Sequence, residues 1–480
     1  MKNLIGLKFD NTYSKLPNIL LSKIKPEKVS KPKLIIKNDS LADELGLNFS
    51  NINEDELSLL FSGNSIPEDA ETFAQAYAGH QFGHFTMLGD GRALILGEHI
   101  TPNNKRFDIQ FKGSGKTPYS RNGDGKAALG PMLREYIISE AMFNLKIPTT
   151  RSLAVVTTGE KVIREKDLTG AILTRVARSH LRVGTFQFVA VQSDLKTMKE
   201  LIDYTIKRHF PSIIKDELPV LSLLKSVMMC QIDLIINWMR VGFIHGVMNT
   251  DNMSISGETI DYGPCAFMDT YNPNTVFSSI DLNGRYAFNN QPIITQWNLL
   301  RFSECLLPFL NDDRNKAIKI AEDTINEFSD IFKKKWINMM CSKIGIEKNI
   351  NTDEKLITDL LTLLEQYRID YTLFFSNLSN FKKPQIQAFD AWFFQWDKRV
   401  ERNKKNTKNI SDLMQKNNPR IIPRNYIIEN VLKKAEMNDI SYVIRLLKAL
   451  KNPYQRDRNF VEFEKEPPKT NEKYKTFCGT

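Results

Sequence analysis

The sequence predicts an α+β fold of two lobes flanked by N- and C-terminal helical extensions, and three observations carry that prediction. Glycine clusters and period-two apolar alternation crowd into residues 65–194. Between 195 and 400 the apolar spacing becomes helical: within 222–240, Leu224, Val227, Met228, Leu234, Ile235 and Trp238 fall in a stripe about 120° wide at about 100° per residue. The 480 residues also amount to roughly three units of the usual ~150-residue size, so a large multi-lobed protein is expected.

In chain order, residues 1–64 mix short helical patterns with Pro and Lys, and Ser40 is the expected N-cap of a helix starting Leu41-Ala-Asp-Glu44. The 65–194 lobe carries strands at Ala93-Leu-Ile-Leu96 and Phe107-Asp-Ile-Gln-Phe111. In the second, Phe107, Ile109 and Phe111 face one side and Asp108, Gln110 and Lys112 the other. One helix, 131–145, opens on Gly130-Pro131 and places Leu133, Tyr136, Ile137 and Ala141 on one face. Further amphipathic helices are expected at 297–310 and 425–450. The second belongs to a C-terminal unit, 401–480, that begins with a basic, Asn-rich link at 403–418.

Hydrophobic residues make up 41% and charged residues 25%, which excludes a largely disordered or collagenous chain. The net charge of +10 is spread diffusely, so it predicts tolerance of anionic ligands and no specific nucleic-acid groove. Five scattered cysteines without a Cys-x-x-Cys pair argue against a disulfide framework or a structural zinc site, and fit a reducing cytoplasm. Lys8 and Asp10 interrupt the first apolar run, so no signal-peptide core is expected, and no stretch is read as a membrane span.

Two glycine-rich loops, Gly89-Asp-Gly-Arg92 and Lys112-Gly-Ser-Gly-Lys-Thr-Pro-Tyr-Ser-Arg-Asn-Gly-Asp-Gly125, flank strands, where glycine lets backbone N–H groups approach phosphate oxygens. A P-loop needs glycine five residues before Gly115, and Gln110 stands there instead. Lys112 ends a strand and Glu135 follows on a helix, an arrangement by which a kinase-like lobe grips phosphates. A solvated helix face is the plainer alternative, and Glu140 lies nearer the centre of the apolar stripe. The loop His245-Gly-Val-Met-Asn-Thr-Asp251-Asn252 followed by Asp261-Tyr-Gly263 is more specific. Kinases carry an Asn and an Asp for metal in this order, with a base five residues before the Asn, where this chain has Val247. Asp251 is then the available carboxylate. Arg175 and Arg182 are candidate phosphate ligands, and His80 and His84 have a metal-like i, i+4 spacing for which packing roles are expected.

Together with Ala78-Gly-His-Gln-Phe-Gly, Gly284-Arg-Tyr-Ala-Phe-Asn-Asn-Gln-Pro and Asn452-Pro-Tyr, these blocks resemble the selenoprotein O family, also called the YdiU family, from about residue 65 onward. The resemblance implies a protein-kinase-like fold that binds ATP in a flipped orientation and transfers AMP, or in bacterial members UMP, to Ser, Thr or Tyr hydroxyls of proteins. It implies that Gly89, Gly91 and Arg92 contact nucleotide, that Lys112, Asp124, Gly125, Arg175 and Arg182 surround its phosphates, and that Glu135 positions Lys112. It further implies that Asn252 and Asp261 hold Mg²⁺ or Mn²⁺ and that Asp251 accepts the proton. Cys478 occupies the place of the family's C-terminal selenocysteine or cysteine, with Cys265 as a conceivable redox partner. A phosphotransferase and a catalytically silent pseudokinase scaffold are the competing expectations. Asp261→Ala is expected to abolish transfer with little effect on folding.

Overall fold

The computed structural model describes residues 5–50, 52–402, 407–468, 474 and 476. Among these, twelve strands and fourteen α-helices form. The strands are β1 (Leu21–Lys23), β2 (Lys33–Lys37), β3 (Phe73–Gln75), β4 (Ala78–Gln81), β5 (His84–Met87), β6 (Ala93–Ile100), β7 (Arg106–Lys112), β8 (Ala127–Ala128), β9 (Arg151–Ile163), β10 (Asp167–Ala177), β11 (Phe243–Ile244) and β12 (Ala266–Phe267). The first seven helices are α1 (Asp39–Leu45), α2 (Glu54–Phe61), α3 (Leu129–Asn144), α4 (Val183–Val191), α5 (Leu195–His209), α6 (Pro219–Val241) and α7 (Gln291–Leu310). The other seven are α8 (Arg314–Lys343), α9 (Asp353–Gln366), α10 (Tyr371–Leu378), α11 (Asp390–Glu401), α12 (Thr407–Asn417), α13 (Asn425–Glu436) and α14 (Ser441–Leu450).

Eight strands form one antiparallel sheet in the order β1-β3-β6-β7-β10-β9-β2, with β8 paired to β10. Its two faces feed different cores, and period-two alternation decides which residue goes where. Leu94, Leu96, Ile109, Phe111, Ile172 and Val176 pack with Leu41, Leu57 and Phe61 of the N-terminal helices. Ile95, Val155 and Leu173 face the other way, onto Leu133 and Ile137 of α3. Because both faces are covered, charged side chains on the α3 face have to find partners inside the protein.

The predicted strands and helices at 93–96, 107–111, 131–145, 222–240 and 297–310 form, some with longer bounds. Four expectations differ. Residues 1–64 are not a helical appendage, since β1 and β2 supply the two edges of the main sheet; at 3 and 5 residues they are too short for a period-two signal. The cap of α1 is Asn38, whose Oδ1 accepts from Leu41 N at 3.1 Å, so the helix starts before Ser40. The 403–418 link contains α12, anchored by buried Ile410 and Met414 one turn apart, while 403–406 fall outside the described residues. The 425–450 pattern is two helices, broken where Asn438 turns left-handed at φ 65°.

Helix α6 also corrects the membrane reading, for its 23 residues are long and apolar enough to cross a bilayer. Its apolar side chains, Leu223, Leu224, Val227, Ile232 and Ile235 among them, are buried in the protein core against α7 and α8, which is the reason for its composition.

The helical core has an identifiable anchor in Trp396 of α11. It is 1% exposed, stacks on Trp392 at 6.0 Å between ring centroids, and donates its indole N–H to Ile344 O at 2.8 Å. Trp396→Ala removes that volume and leaves a cavity, so denaturant unfolding should show a loss of about 3–5 kcal/mol. A loss under ~1 kcal/mol would mean the site collapses around the gap.

Candidate functional site

Strand register assembles the first half of the site. In the pairing of β7 with β10, Gln110 stands opposite Arg175 and Lys112 opposite Leu173, so Gln110, Lys112 and Arg175 share the face that looks at α3. Helix α3 presents Glu135 to them, 2% exposed and therefore on no solvated face. Lys112 Nζ donates to Glu135 Oε2 at 2.7 Å, and Arg175 Nε donates to Oε1 at 2.7 Å. The rival carboxylate Glu140 turns instead to Arg151, at 2.6 Å.

The second half is the loop after β11. His245 is buried and donates from Nε2 to Ile260 O at 2.8 Å, while Nδ1 accepts from Val247 N at 3.4 Å. Burial pulls its pKa down, so the ring is the neutral tautomer that ties the 245–252 loop to the 260–263 loop. Asp261 then adopts a left-handed φ of 61°, a conformation in which a non-glycine residue is strained unless its surroundings hold it there. Its carboxylate supplies that hold. Oδ1 accepts from Lys112 at 3.2 Å and from Arg175 at 2.7 Å, and Oδ2 accepts from Arg182 at 3.0 Å. Burial raises the Asp261 carboxyl, but Arg175, Lys112 and Arg182 outweigh it and hold the group well below the usual carboxylate range. The same contest, with Arg175 and Lys112 winning over burial, lowers Glu135.

Arg175 and Arg182 are thus almost fully buried, and their guanidinium groups are directed at protein carboxylates. Arg182 also donates to Asp251 O at 2.9 Å, lies over the Tyr77 ring at 4.5 Å, and has Asp90 at 3.6 Å. Asp251 is different: burial raises its carboxyl to about 6, and its Oδ1 has no hydrogen-bond partner among the described residues. A buried carboxylate poised near neutral pH can take a proton from a hydroxyl. Asn252 commits Nδ2 to Val247 O at 3.0 Å, which leaves its Oδ1 as an acceptor. Asn252 and Asp261 are therefore oxygen donors of the kind that suits a hard divalent cation completed by phosphate oxygens. Among the described residues no group of three or more His, Cys, Asp or Glu forms a metal cage.

The other sequence-predicted residues form a rim. Gly89 packs on Tyr119, whose ring a Cβ would strike at 2.3 Å, and Gly91 approaches Tyr119 O. Arg92 is half-buried just before β6. Gly125 has φ 69° and a Cβ there would meet Gly115 O at 2.0 Å, so only glycine closes this loop. Asp124 is gripped by the Arg164 fork at 2.8 and 3.0 Å, away from the cation cluster's own hydrogen bonds. Lys116 offers its backbone N–H to Glu27 Oε1 at 3.0 Å, so the amide a P-loop would turn to phosphate already has a carboxylate. His80 Nδ1 meets Gln187 Nε2 at 2.8 Å and its ring packs against Phe85 and Trp297, whereas His84 is exposed. Cys478 lies outside the described residues, and Cys265 is buried.

Sequence reasoning missed Asp90, Gln110 and Tyr77. Gln110 carried a signal, because period two puts it on the face of Lys112; it accepts from Arg175 Nη1 at 3.1 Å. Asp90 sat inside the Gly-Asp-Gly turn, where a turn role hid a buried carboxylate that accepts from Gln75 N at 3.2 Å.

A family profile described as "Protein adenylyltransferase SelO" matches residues 3–451. A Nitrosococcus oceani protein named "Protein nucleotidyltransferase YdiU" is 55% identical over 99% of this chain and 98% of its own length. Proteins of the same name from Pelagibacter ubique and Bacillus cytotoxicus are each 54% identical over 99% of this chain, and over 100% and 98% of their own lengths.

The network corrects the expectation that Asp261→Ala spares folding, for that change strips three buried cations of their shared counter-charge. Its unfolding free energy at pH 7 should fall by about 3–5 kcal/mol, the cost of breaking a buried pair. Asp261 has a lowered folded pKa, so the stability it contributes is present above about pH 4 and lost as pH falls. Asp261→Asn should accordingly flatten the acid limb of a stability-versus-pH curve. An unchanged acid limb would refute the assigned charge network.

Proposed function

The chain belongs to the SelO family and is a protein nucleotidyltransferase; from that premise we propose that it moves AMP, with UMP as the alternative cargo, from the nucleoside triphosphate to Ser, Thr or Tyr hydroxyls of acceptor proteins. The single observation that carries the reading is the pairing of a cluster in which the cations Lys112, Arg175 and Arg182 outnumber the carboxylates Glu135 and Asp261 with one desolvated carboxylate, Asp251, at its edge.

In the proposed step the acceptor oxygen attacks the α-phosphorus and its proton passes to Asp251. The bond from the α-phosphorus to the bridging oxygen breaks, and pyrophosphate leaves with the electron pair. Lys112, Arg175 and Arg182 supply positive charge around the departing phosphates, with Gly89, Gly91, Arg92, Asp124 and Gly125 lining the nucleotide and Glu135 orienting Lys112. Asn252 and Asp261 would hold Mg²⁺ or Mn²⁺, which when bound neutralises phosphate charge. Val247, five residues before Asn252, leaves no carboxylate where a kinase places its base, which favours the α- over the γ-phosphorus. The proposal takes the fold as kinase-like, with residues 65–194 as the nucleotide lobe and 195–400 as the helical lobe. It takes the cytoplasm as the working compartment, in keeping with cysteines scattered along the sequence without a Cys-x-x-Cys pair.

Incubation with metal and ATP labelled at the α- or the γ-phosphate tests this directly. Label should enter protein from the α position only, with a mass gain of one AMP group on the modified peptide. Entry from the γ position would establish a kinase, and ATP binding without any incorporation a silent scaffold.

Asp251 predicts the pH profile. Protonated below about pH 6, it cannot accept a proton, so kcat should rise through pH 6 and level off above. Asp251→Asn should lower kcat by about 10²–10⁴ and abolish that rise. Since ionising this buried group opposes folding at neutral pH, the same substitution should raise Tm at pH 7.5. A lower Tm with an intact pH limb would exclude Asp251 as the base.

A further inference from the structure

A cavity of about 1280 Å³ lies apart from the cluster around Asp261, for none of Lys112, Glu135, Arg175, Arg182, Asp251 or Asp261 lines it. Strand alternation separates the two sites. Arg175 turns to Glu135 on the α3 face, so its neighbour Val176 turns to the other face, where it packs with Ile109 and walls the cavity. The β6–β7 hairpin adds Lys105 and Phe107, and the end of α5 adds Tyr204, Lys207 and Arg208. Beneath them Ile147, Thr149 and Arg151 are buried, so the concavity has a desolvated floor.

Seven cations line this cavity against two carboxylates, and their hydrogen bonds decide which of them are committed. Arg106 is tied to Asp10 and Glu98, Arg208 to Glu98 and Asp108, and Arg151 to Glu140 and Glu44. Lys15 keeps a loose 3.9 Å pair with Asp10. Lys105, Arg178 and Lys207 form no ion pair among the described residues, and Arg178 gives a single guanidinium N–H to Ser256 O at 3.4 Å. These three stand round one mouth. Arg208, next to Lys207, donates to Arg178 O at 2.7 Å; Asp10, whose carboxyl is lowered by Arg106 and further by Lys15 and Lys207, joins Lys207 to the hairpin of Lys105 and Arg106. The lining carboxylates are engaged as well, for Glu258 Oε2 accepts from Arg178 N at 3.0 Å and from Ser256 Oγ at 2.9 Å. Burial raises the Glu258 carboxyl to about 7, so at neutral pH it offsets only part of a unit charge. Lysines on a convex surface are simply solvated, whereas cations of one sign round a low-dielectric hollow focus their field into it.

We propose that this cavity is a second ligand site, separate from that of the transferred nucleotide, and that it takes a small phosphate monoester with an apolar or aromatic body. The phosphate lies among Lys105, Arg178 and Lys207, and the body lies against Phe107, Phe143 and Ile147. Three uncommitted cations suit one head group that carries nearly two negative charges at neutral pH and several acceptor oxygens, which a phosphate supplies and a carboxylate does not. The mixture of apolar wall and a few convergent polar groups is that of a small-molecule site. Neither Lys105 nor Lys207 takes part in the nucleotide or proton-transfer machinery, so the two sites are separable by substitution.

The test uses the full chain and naphthyl phosphate, whose ring reports binding by fluorescence anisotropy. Naphthol offers the body without the charge, and inorganic phosphate, added as a competitor, the charge without the body. The wild-type chain should bind naphthyl phosphate at least tenfold more tightly than either. Lys105→Gln combined with Lys207→Gln should weaken that binding at least tenfold, with Tm and the affinity for ATP unchanged. Lys333→Gln combined with Lys334→Gln, which removes the same charge from α8, should leave it unaltered. Equal affinity for naphthyl phosphate and naphthol, or wild-type binding by the Lys105 and Lys207 variant, overturns the proposal. An equal loss in the α8 variant overturns it too, since attraction to overall charge would then account for the binding.

Discussion

The shared carboxylate of Asp261 is the contact on which the rest of the site depends. Three cations from three places, Lys112 at the end of β7, Arg175 in β10 and Arg182 before α4, converge on its two oxygens. Glu135 of α3 neutralises two of the same cations from behind. None of these charges is tolerable alone in the interior, where desolvation costs several kcal/mol per ion. Together they are a closed network, which stitches sheet, helix and loop into one geometry and removes the freedom of each long side chain to wander.

That stitching explains the strain beside it. Asp261 occupies a left-handed conformation without being glycine. The preceding carbonyl, Ile260 O, is held by His245, and His245 stacks on Trp238 of α6 at 5.4 Å. Trp238 in turn donates its indole N–H to Thr259 Oγ1 at 2.9 Å. Helix α6 thus holds the loop at Thr259 directly and at Ile260 through His245, so the strain is met by packing and not by local propensity.

Close backbone approach sets the character of Asp251. Gly79 touches its carboxylate, and Gly184 brings α4 against Ala78 O, where a Cβ would stand 2.0 Å away. Side chains at either glycine would prise the β4–β5 hairpin from the loop and admit water. With both in place Asp251 is desolvated, and desolvation is the largest influence on its raised pKa. Asp261, ten residues on and less enclosed, moves the opposite way because Arg175, Lys112 and Arg182 surround it. Two carboxylates in one site are driven apart in acidity by their neighbours, the arrangement by which one stays charged for binding while the other exchanges a proton.

Much of this was legible in the residues themselves. Alternation in Phe107-Asp-Ile-Gln-Phe111 assigned Lys112 and Gln110 to one face, the α6 stripe marked a buried helix, and the spacing from His245 to Asp261 marked the loops. These signals are local, set by the period of a strand or helix and by loop spacing, so composition and order determine them. The partners of Arg175 and Arg182 were not legible, because the carboxylates to which they donate hydrogen bonds, Glu135 and Asp261, stand 40 to 86 residues away in sequence. Nor was the choice of Glu135 over Glu140, for helical periodicity favoured the latter and only the position of Arg151 drew it elsewhere. The short edge strands β1 and β2 carry too few residues to show a period, and their pairing with β3 and β9 is what makes them strands. Sequence by itself determined which residues could bear charge, turn or pack on a face. Tertiary structure alone decided which charges share a counter-ion and which carboxylate loses its water, because electrostatics and desolvation depend on distance through space and not along the chain.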